Sequence, residues 1–376
     1  MDVRKLVPVV VVVAIALAVG VLAITLRDGG NSGSDDRAAP ASTTASTTSV
    51  PTTSTTRPPA ATSTTLPPAP ASTTPPSTVT PGTVVVLPTL PPRTVPETAP
   101  TTTTGTPPAP VERETVVYSP DGAPRRKGDL VVPEDHRRTA IVLVHGGGGT
   151  RGSRRGVRAW ADAYADAGYV TFSIDYFLFK ESTPPPVYPV PERDAKAAAQ
   201  YLRQHAAELG VDPDRIVVQG FSSGAALAGA LYVSGDDAFF AGEGRYDDGT
   251  SDAVNGLIGF YGTYGRERAE QYYGGPPDSD DPEVQARYER SDSVAHAADA
   301  SGPALLFHGD ADEVLPLQRS VDFSDALSAA GQDATLTVVE GAGHGFDRTR
   351  RRLTGEGRAA FDQILPWLAE HFPEES

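Results

Sequence analysis

The pentapeptide Gly220-Phe221-Ser222-Ser223-Gly224 is the feature that most constrains how this chain folds. The apolar run 216–219 before it has the composition of a buried strand, and the alanine-rich run 225–231 after it has that of a helix. The two glycines permit a sharp turn, because they carry no Cβ atom to collide with neighbouring strands. The sequence therefore predicts a strand, a tight turn and a helix, with the Ser222 hydroxyl exposed at the turn.

Short apolar runs alternate with amphipathic stretches throughout residues 111–376. The predicted strands are 115–118, 130–132, 140–145, 169–175, 216–219, 257–261, 304–308 and 335–339. The predicted helices are 157–167, 194–209, 223–233, 321–330 and 359–371. This alternation, with continuously apolar strands, indicates an α/β domain whose mostly parallel sheet is covered by helices on both faces. Such sheets bind ligands at the carboxyl ends of their strands.

The N-terminal 27 residues have the pattern of a membrane anchor. Residues 6–26 carry no charge and would form a helix of roughly 32 Å, which is long enough to cross a bilayer. Arg4 and Lys5 precede this run, so we expect a cytoplasmic N-terminus and an exported domain. The alternative is a secreted protein with a cleaved signal peptide, because Ala16-Leu17-Ala18 has the small-x-small form of a cleavage site.

Residues 28–110 are dominated by Thr, Ser, Pro and Ala and contain few large apolar side chains. A segment of this composition buries too little surface to offset the loss of chain entropy on folding. We therefore predict a disordered stalk between the anchor and the α/β domain at 111–376. The chain contains no cysteine, which excludes disulfides and a cysteine nucleophile.

The α/β domain is strongly acidic. Residues 1–110 hold six Lys and Arg and five Asp and Glu, which leaves 26 basic and 43 acidic side chains, a net charge of −17, for residues 111–376. This charge argues against nucleic acid as a partner. Arg348 and the arginines at 350–352 are predicted to lie at a solvated helix start, and attraction of an acidic substrate group is the alternative.

Catalysis by a serine nucleophile needs a base, a group that orients the base, and donors for an oxyanion. Ser222 is the candidate nucleophile, although a serine at this position also serves as a helix N-cap. His344 is the candidate base, because the glycine-rich segment 341–346 after the last strand would let it reach Ser222. The alternative for His344 is an exposed loop residue. His308 ends a strand and is predicted to be packed and hydrogen-bonded.

The residue that orients the base is expected between residues 309 and 316, where Asp310, Asp312 and Glu313 compete. Asp312 is the preferred candidate, because it lies in the tight loop after a strand. Asp310 directly follows Gly309 and is predicted to brace the loop backbone through its short side chain.

Backbone amides are the predicted oxyanion donors. One belongs to Ser223, at the start of the helix after the nucleophile, and the other to Gly147 or Gly148 in the glycine run after His145. A phosphate-binding loop is the alternative for this run, but the G-x-x-x-x-G-K-[ST] pattern is absent.

Together these segments resemble the α/β-hydrolase superfamily of the esterase and lipase type, near its hormone-sensitive-lipase-like and bacterial feruloyl-esterase-like branches. The resemblance covers most of residues 125–372 and rests on the segments 145–148, 173–176, 220–224, 259–262, 308–312 and 343–346. It implies the α/β-hydrolase fold and a triad of Ser222, Asp312 and His344 in that chain order. It also implies hydrolysis of carboxylic esters through an acyl-serine intermediate, with no metal and no other cofactor.

Two positions depart from the family pattern and bear on substrate specificity. Phe177 stands where an arginine is frequent, and Ala225 stands where a glycine is frequent. No lid is obvious in the sequence, and the proline-rich loop 180–191 is a candidate wall of the cleft. The acidic cluster 278–281 lacks the spacing of a calcium loop and is predicted to be solvated.

The leading hypothesis is a membrane-anchored, extracellular serine carboxylesterase that acts on small-molecule or cell-envelope esters with short-to-medium acyl chains. A serine peptidase of the prolyl-oligopeptidase type is one alternative, although such enzymes usually carry an additional propeller domain. A non-catalytic binding module with the hydrolase fold is another, and loss of a triad residue would indicate it. No triad residue is missing from the sequence.

Overall fold

Strands and helices alternate along the chain in the computed structural model, which describes residues 83–87 and 112–374 except 243 and 350. The described residues all belong to one unit, Thr74–Ser376. The predicted anchor at 1–27 lies outside them, as does the predicted stalk at 28–110 apart from residues 83–87. Within the described residues, no helix has the length and apolarity needed to cross a bilayer.

A mostly parallel sheet forms the centre of the described unit, as predicted. Its strands are β1 (Thr83–Leu87), β2 (Arg113–Val117), β3 (Lys127–Val131), β4 (Ala140–Val144), β5 (Val170–Ile174), β6 (Ile216–Phe221), β7 (Gly256–Phe260), β8 (Ala304–Gly309) and β9 (Ala334–Val339). The order across the sheet is β1-β9-β8-β7-β6-β4-β5-β3-β2. Only β3 runs antiparallel to its neighbours, β2 and β5, and the other described pairs are parallel.

Helices cover both faces of the sheet. They are α1 (Arg158–Asp166), α2 (Val190–Gln204), α3 (Ala206–Leu209), α4 (Ser223–Ser234), α5 (Glu270–Tyr273), α6 (Pro282–Arg290), α7 (Gln318–Ala329) and α8 (Gly355–His371). Helices α2, α4 and α7 contribute Leu202, Leu231 and Phe323 to the core on one face. Helices α1 and α8 contribute Trp160 and Phe361 to the core on the other. The prediction of helices on both faces is therefore confirmed.

Strand β1 corrects the predicted stalk at five residues. Its register with β9 runs from Thr83 opposite Thr335 to Leu87 opposite Val339. Three consecutive valines occupy its centre, and β-branched residues favour strands. The prediction missed this strand because the average composition of the segment is dominated by the surrounding Thr, Ser and Pro. Composition also does not reveal that β9 has an unpaired backbone edge with which these valines can pair.

Helices α5 and α6 are absent from the prediction, and they lie in a proline- and glycine-rich stretch after β7. A third apolar cluster joins this stretch to the loop before α2. Its buried members are Val187, Tyr188, Phe240, Tyr272, Tyr273, Val284 and Tyr288. The cluster is built from aromatic contacts between segments distant in sequence, such as Tyr188 with Tyr272 at 5.8 Å between ring centroids.

Candidate active site

The turn between β6 and α4 holds Ser222 in a strained backbone conformation. Its φ is 53° and its ψ is −121°, in a region that residues with side chains rarely adopt. A Cβ atom at Gly220 would collide with the backbone of Gly224 and Ala225, and one at Gly224 would collide with the carbonyls after β4. The two glycines of the pentapeptide are therefore required for the turn, as the sequence predicts.

His344 lies in the loop after β9 and bridges Ser222 and Asp312. Its Nε2 is 3.0 Å from the Ser222 Oγ, and its Nδ1 is 2.8 Å from the Asp312 Oδ2. These contacts join residues 122 and 32 positions apart in sequence. The structure thus brings the predicted nucleophile, base and acid into one hydrogen-bonded chain.

Asp312 is held by the turn that follows β8. Its Oδ1 accepts hydrogen bonds from the amides of Val314, at 2.8 Å, and Leu315, at 2.9 Å, whereas its Oδ2 faces His344 and also lies 3.2 Å from the His308 Nε2. Burial alone would raise the pKa of Asp312, but the hydrogen bonds from Leu315, His344 and Val314 outweigh it and lower the pKa. An ionised carboxylate can hold the His344 Nδ1 proton and leave Nε2 free to accept one.

The neighbouring histidine and aspartate have the structural roles that the sequence predicts. His308 is buried, with its Nδ1 2.7 Å from the Ser320 Oγ and its Nε2 2.9 Å from the Leu315 carbonyl oxygen. Burial lowers the pKa of His308. The Asp310 Oδ1 accepts a hydrogen bond of 2.6 Å from the Gly341 amide, which ties the acid loop to the loop of the base.

The glycine run after β4 lies beside the nucleophile. Gly147 has a φ of 133° and Gly148 a φ of 66°, both favourable for glycine. Within the described part of the chain, the amides of Gly147, Gly148 and Ser223 donate to no protein acceptor, whereas Gly149 donates to the Ser223 Oγ at 3.2 Å. The predicted oxyanion donors are therefore available, and which two act together stays a prediction.

His145, which precedes this run, is held in place by contacts with Tyr176. Its ring stacks on Tyr176 with 4.4 Å between centroids, and the Tyr176 hydroxyl donates to the His145 carbonyl at 2.8 Å. Burial lowers the pKa of His145. A neutral, stacked imidazole fixes the loop and takes no part in the triad.

A cleft of about 620 Å³ opens over Ser222. Its lining residues are Gly146, Gly147, Gly148, Arg151, Phe179, Phe221, Ser222, Ser223, Tyr261, Thr263, Glu267, Arg268, Ala269, Val314, Leu315, His344, Gly345 and Arg348. The loop 180–191, the predicted wall, contributes none of them. Val187 and Tyr188 in that loop are buried in the third apolar cluster instead. The wall is formed by Thr263, Glu267, Arg268 and Ala269.

A buried hydrogen-bond network lies behind His344, and the sequence does not predict it. Asp347 is fully buried and accepts hydrogen bonds from the Trp160 Nε1, at 2.7 Å, and from the Tyr261 hydroxyl. Tyr261 has a φ of 39°, and its ring lies 4.7 Å from that of His344. The only available signal was an aspartate three positions after His344.

Arg348 belongs to the same network, which corrects the prediction that it is solvated. It pairs with Asp347, donates to the Gly156 carbonyl at 3.0 Å and lies over the Phe221 ring at 4.1 Å from the centroid. Helix α8 begins at Gly355, so Arg348 is not at its start. Among the residues that the structure describes, no group of three or more His, Cys, Asp or Glu could hold a metal ion.

Known proteins resemble this chain in fold and in sequence. The BD-FAE family model matches residues 129–327, which include Ser222 and Asp312 and end before His344. Esterase 2 of Thermogutta terrifontis with butyrate bound is similar in structure, with a TM-score of 0.59 and 29% identity over 70% of this chain and 96% of that one. Related structures of that esterase carry propionate or are phosphorylated by paraoxon.

Curated relatives are longer than the matching part of this chain. Esterase LipC of Mycobacterium tuberculosis is 27% identical over 272 residues, which cover 65% of this chain and 62% of LipC. The isoprenylcysteine alpha-carbonyl methylesterase of Arabidopsis thaliana is 26% identical over 281 residues, which cover 67% of this chain and 61% of that enzyme. The chain thus spans about three fifths of the length of these relatives. With the family model matching more than half of its residues, the chain belongs to the BD-FAE family and has the α/β-hydrolase fold.

Proposed function

We propose that this protein is a serine carboxylic-ester hydrolase that cleaves short-to-medium acyl esters through an acyl-Ser222 intermediate. The hydrogen-bonded chain from Ser222 through His344 to Asp312 is the observation that carries the proposal. It supplies the nucleophile, the base and the orienting carboxylate that this chemistry needs.

In the first half of the reaction, the Ser222 Oγ attacks the ester carbonyl carbon as its proton passes to the His344 Nε2. Asp312 stabilises the resulting imidazolium through Nδ1. The free amides of Ser223 and of Gly147 or Gly148 receive the negative charge on the carbonyl oxygen. His344 then gives its proton to the leaving alkoxide, and the alcohol departs. In the second half, water attacks the carbonyl carbon of the acyl-Ser222 intermediate as its proton passes to the His344 Nε2. His344 then returns the proton to the Ser222 Oγ as the acyl–oxygen bond breaks, and the acid is released.

The relatives support this activity and a small substrate. LipC and LipQ are named esterases, and the Thermogutta terrifontis enzyme binds butyrate and propionate. We infer from these bound acids that this chain also accepts short acyl groups. A peptidase and a non-catalytic module are the less favoured alternatives. The assembled triad argues against the second.

We further propose that the domain acts outside the cytoplasm and is tethered by the N-terminal run. The uncharged residues 6–26 after Arg4 and Lys5 support this location. Protease treatment of intact cells should release an active fragment. Recovery of the whole chain from the cytosol would contradict the proposal.

The activity is tested by labelling with a fluorophosphonate probe and by hydrolysis of p-nitrophenyl butyrate. We expect the probe to modify the Ser222 Oγ, and we expect Ser222→Ala to abolish labelling and lower kcat by several orders of magnitude. Ser291→Ala is the matched control and should leave both unchanged. The Ser291 hydroxyl bonds to Tyr273 and Tyr288 and does not line the cleft. Persistent labelling of Ser222→Ala would overturn the assignment, and faster cleavage of a prolyl peptide than of the butyrate would favour the peptidase.

A further inference from the structure

The cleft over Ser222 presents unpaired positive charge. Arg151 and Arg268 line it and, within the described part of the chain, neither side chain forms an ion pair or donates a hydrogen bond. The third lining arginine, Arg348, is paired with its neighbouring aspartate. Glu267, the acidic residue among the lining set, is paired with Arg319 at 2.6 Å. The cleft therefore has the opposite charge to the chain as a whole, whose net charge is −16.

Arg268 lies against the glycine run that carries the oxyanion donors. A Cβ atom built on Gly149 would be 3.6 Å from the Arg268 Nη1. The Gly149 amide in turn donates to the Ser223 Oγ at 3.2 Å. The guanidinium group is therefore at the wall of the cleft, beside Gly149, which directly follows Gly148.

An aromatic ring, rather than a carboxylate, supports this guanidinium group. The Arg268 Cζ lies 4.6 Å from the centroid of the Tyr272 ring, an arrangement typical of a cation–π contact. The Tyr272 hydroxyl donates to the Glu192 carboxylate, which is buried behind it. A ring face holds the guanidinium plane and leaves its N–H donors for another acceptor, which a direct pair with Glu192 would not do.

A guanidinium group that is half-buried and lacks a paired carboxylate favours an anionic ligand, because its donors lose water without gaining a full acceptor set. Its fork geometry matches a carboxylate or a phosphate, which can each accept two parallel hydrogen bonds. The remaining interpretation is structural: Arg268 balances the buried Glu192 through Tyr272. The two roles differ in whether the charge of the substrate matters.

We propose that Arg268, assisted by Arg151, forms an anion subsite that selects esters bearing a carboxylate or phosphate group near the scissile bond. This rests on the proposed esterase function and names a substrate class for it. The two arginines line the same cleft as Ser222 and His344, so a single small ester could contact the arginines and the nucleophile together.

The test compares anionic esters with neutral partners that carry the same scissile bond. Monoethyl succinate is paired with ethyl succinamate, and 2-acetoxyethyl phosphate with 2-acetoxyethanol, each measured as kcat/KM on the full chain. We expect the wild type to prefer at least one anionic ester over its neutral partner by about 10- to 100-fold, the range of a charge-assisted hydrogen bond. The pair that shows the preference identifies the anion.

Substitutions locate the preference. Arg268→Gln should reduce the anionic-to-neutral ratio to near one, mainly through KM. Arg268→Lys should restore part of it, since a lysine keeps the charge but not the fork. Arg266→Gln is the matched control, because it removes a charge two positions away that pairs with Asp292 outside the cleft lining, and it should leave the ratio unchanged.

Two outcomes would overturn the subsite: equal rates for both members of each pair in the wild type, or an Arg268→Gln variant whose anionic-to-neutral ratio is unchanged, whether or not both rates fall. Each of these leaves the proposed function standing, provided the neutral esters are cleaved and Ser222 is labelled. Failure of neutral hydrolysis together with failure of Ser222 labelling would instead refute the proposed function itself.

Discussion

The triad and the wall of the cleft are held in place in different ways. Each triad residue follows a strand end and is fixed by the backbone of a short turn, as Asp312 is by the amides of Val314 and Leu315. The wall is positioned by side chains that are distant in sequence, such as Tyr272 and Glu192, which are 80 residues apart. We therefore expect substitutions in the triad to change the rate, and substitutions in the wall to change stability and substrate choice.

The largest effect should come from the acid of the triad. Asp312→Asn should lower kcat by about 10⁴-fold, because an amide favours the wrong tautomer of His344. That factor corresponds to about 5.4 kcal/mol of transition-state stabilisation. The check is p-nitrophenyl butyrate hydrolysis, with Asp310→Asn as the control that should lose only a few-fold. The reverse order of the two losses would reassign the acid.

A truncation in the third apolar cluster should act on stability instead. Tyr272→Ala should reduce the free energy of unfolding by about 3–5 kcal/mol, because it leaves a cavity in a packed aromatic cluster. Urea denaturation measures this change, and Tyr272→Phe, which keeps the ring, should lose less. Below the unfolding transition the variant should still react with a fluorophosphonate. If labelling were lost while the domain stayed folded, the two regions would not be separable.

Asp347 lies between the two kinds of region, because it is buried and touches the ring that packs on His344. Asp347→Asn leaves the Trp160 Nε1 or the Tyr261 hydroxyl with a poorer acceptor. We expect a loss of about 1–3 kcal/mol of stability and roughly tenfold in kcat/KM. Thermal denaturation and steady-state kinetics measure both. An effect on stability alone would show that the network does not position the base.

The pH dependence should be the smallest of these effects on stability. The pKa of Asp312 is lowered in the folded state, so its contribution is present above its unfolded-state pKa and disappears as the pH falls through the folded value. The difference in unfolding free energy between wild type and Asp312→Asn should therefore shrink below about pH 4. Urea titrations at about pH 6, 4 and 3 test it. A difference that grows on acidification would contradict the sign.

The sequence predicts the triad because its determinants are local. A glycine-flanked serine between a strand and a helix allows few backbone geometries, and the strand ends of a parallel sheet meet at one edge. The eight predicted strands correspond to β2 to β9, with ends that differ by up to three residues. Position also separates the neighbours from Asp312, because His308 lies within β8 and Asp310 directly follows that strand.

The wall and the buried network could not be predicted in the same way. The stretch around α5 and α6 has weak periodicity, and aromatic contacts such as Tyr273 with Tyr288 become visible only in three dimensions. Arg268 is one arginine among many in the sequence. Its importance comes from Tyr272, four positions later, and from Gly149, which is distant in sequence and lies beside it only in the folded chain.

Strands β1 and β2 are consecutive in the chain but lie at opposite ends of the nine-stranded sheet. The chain between Leu87 and Arg113 must therefore cover eight inter-strand spacings, on the order of 38 Å. A single cut in this connection would separate β1 covalently from the rest of the domain. Only the pairing of its five residues with β9 would then hold β1 in place. A fragment that keeps all nine strands in one chain should accordingly begin before Thr83, and not at residue 111.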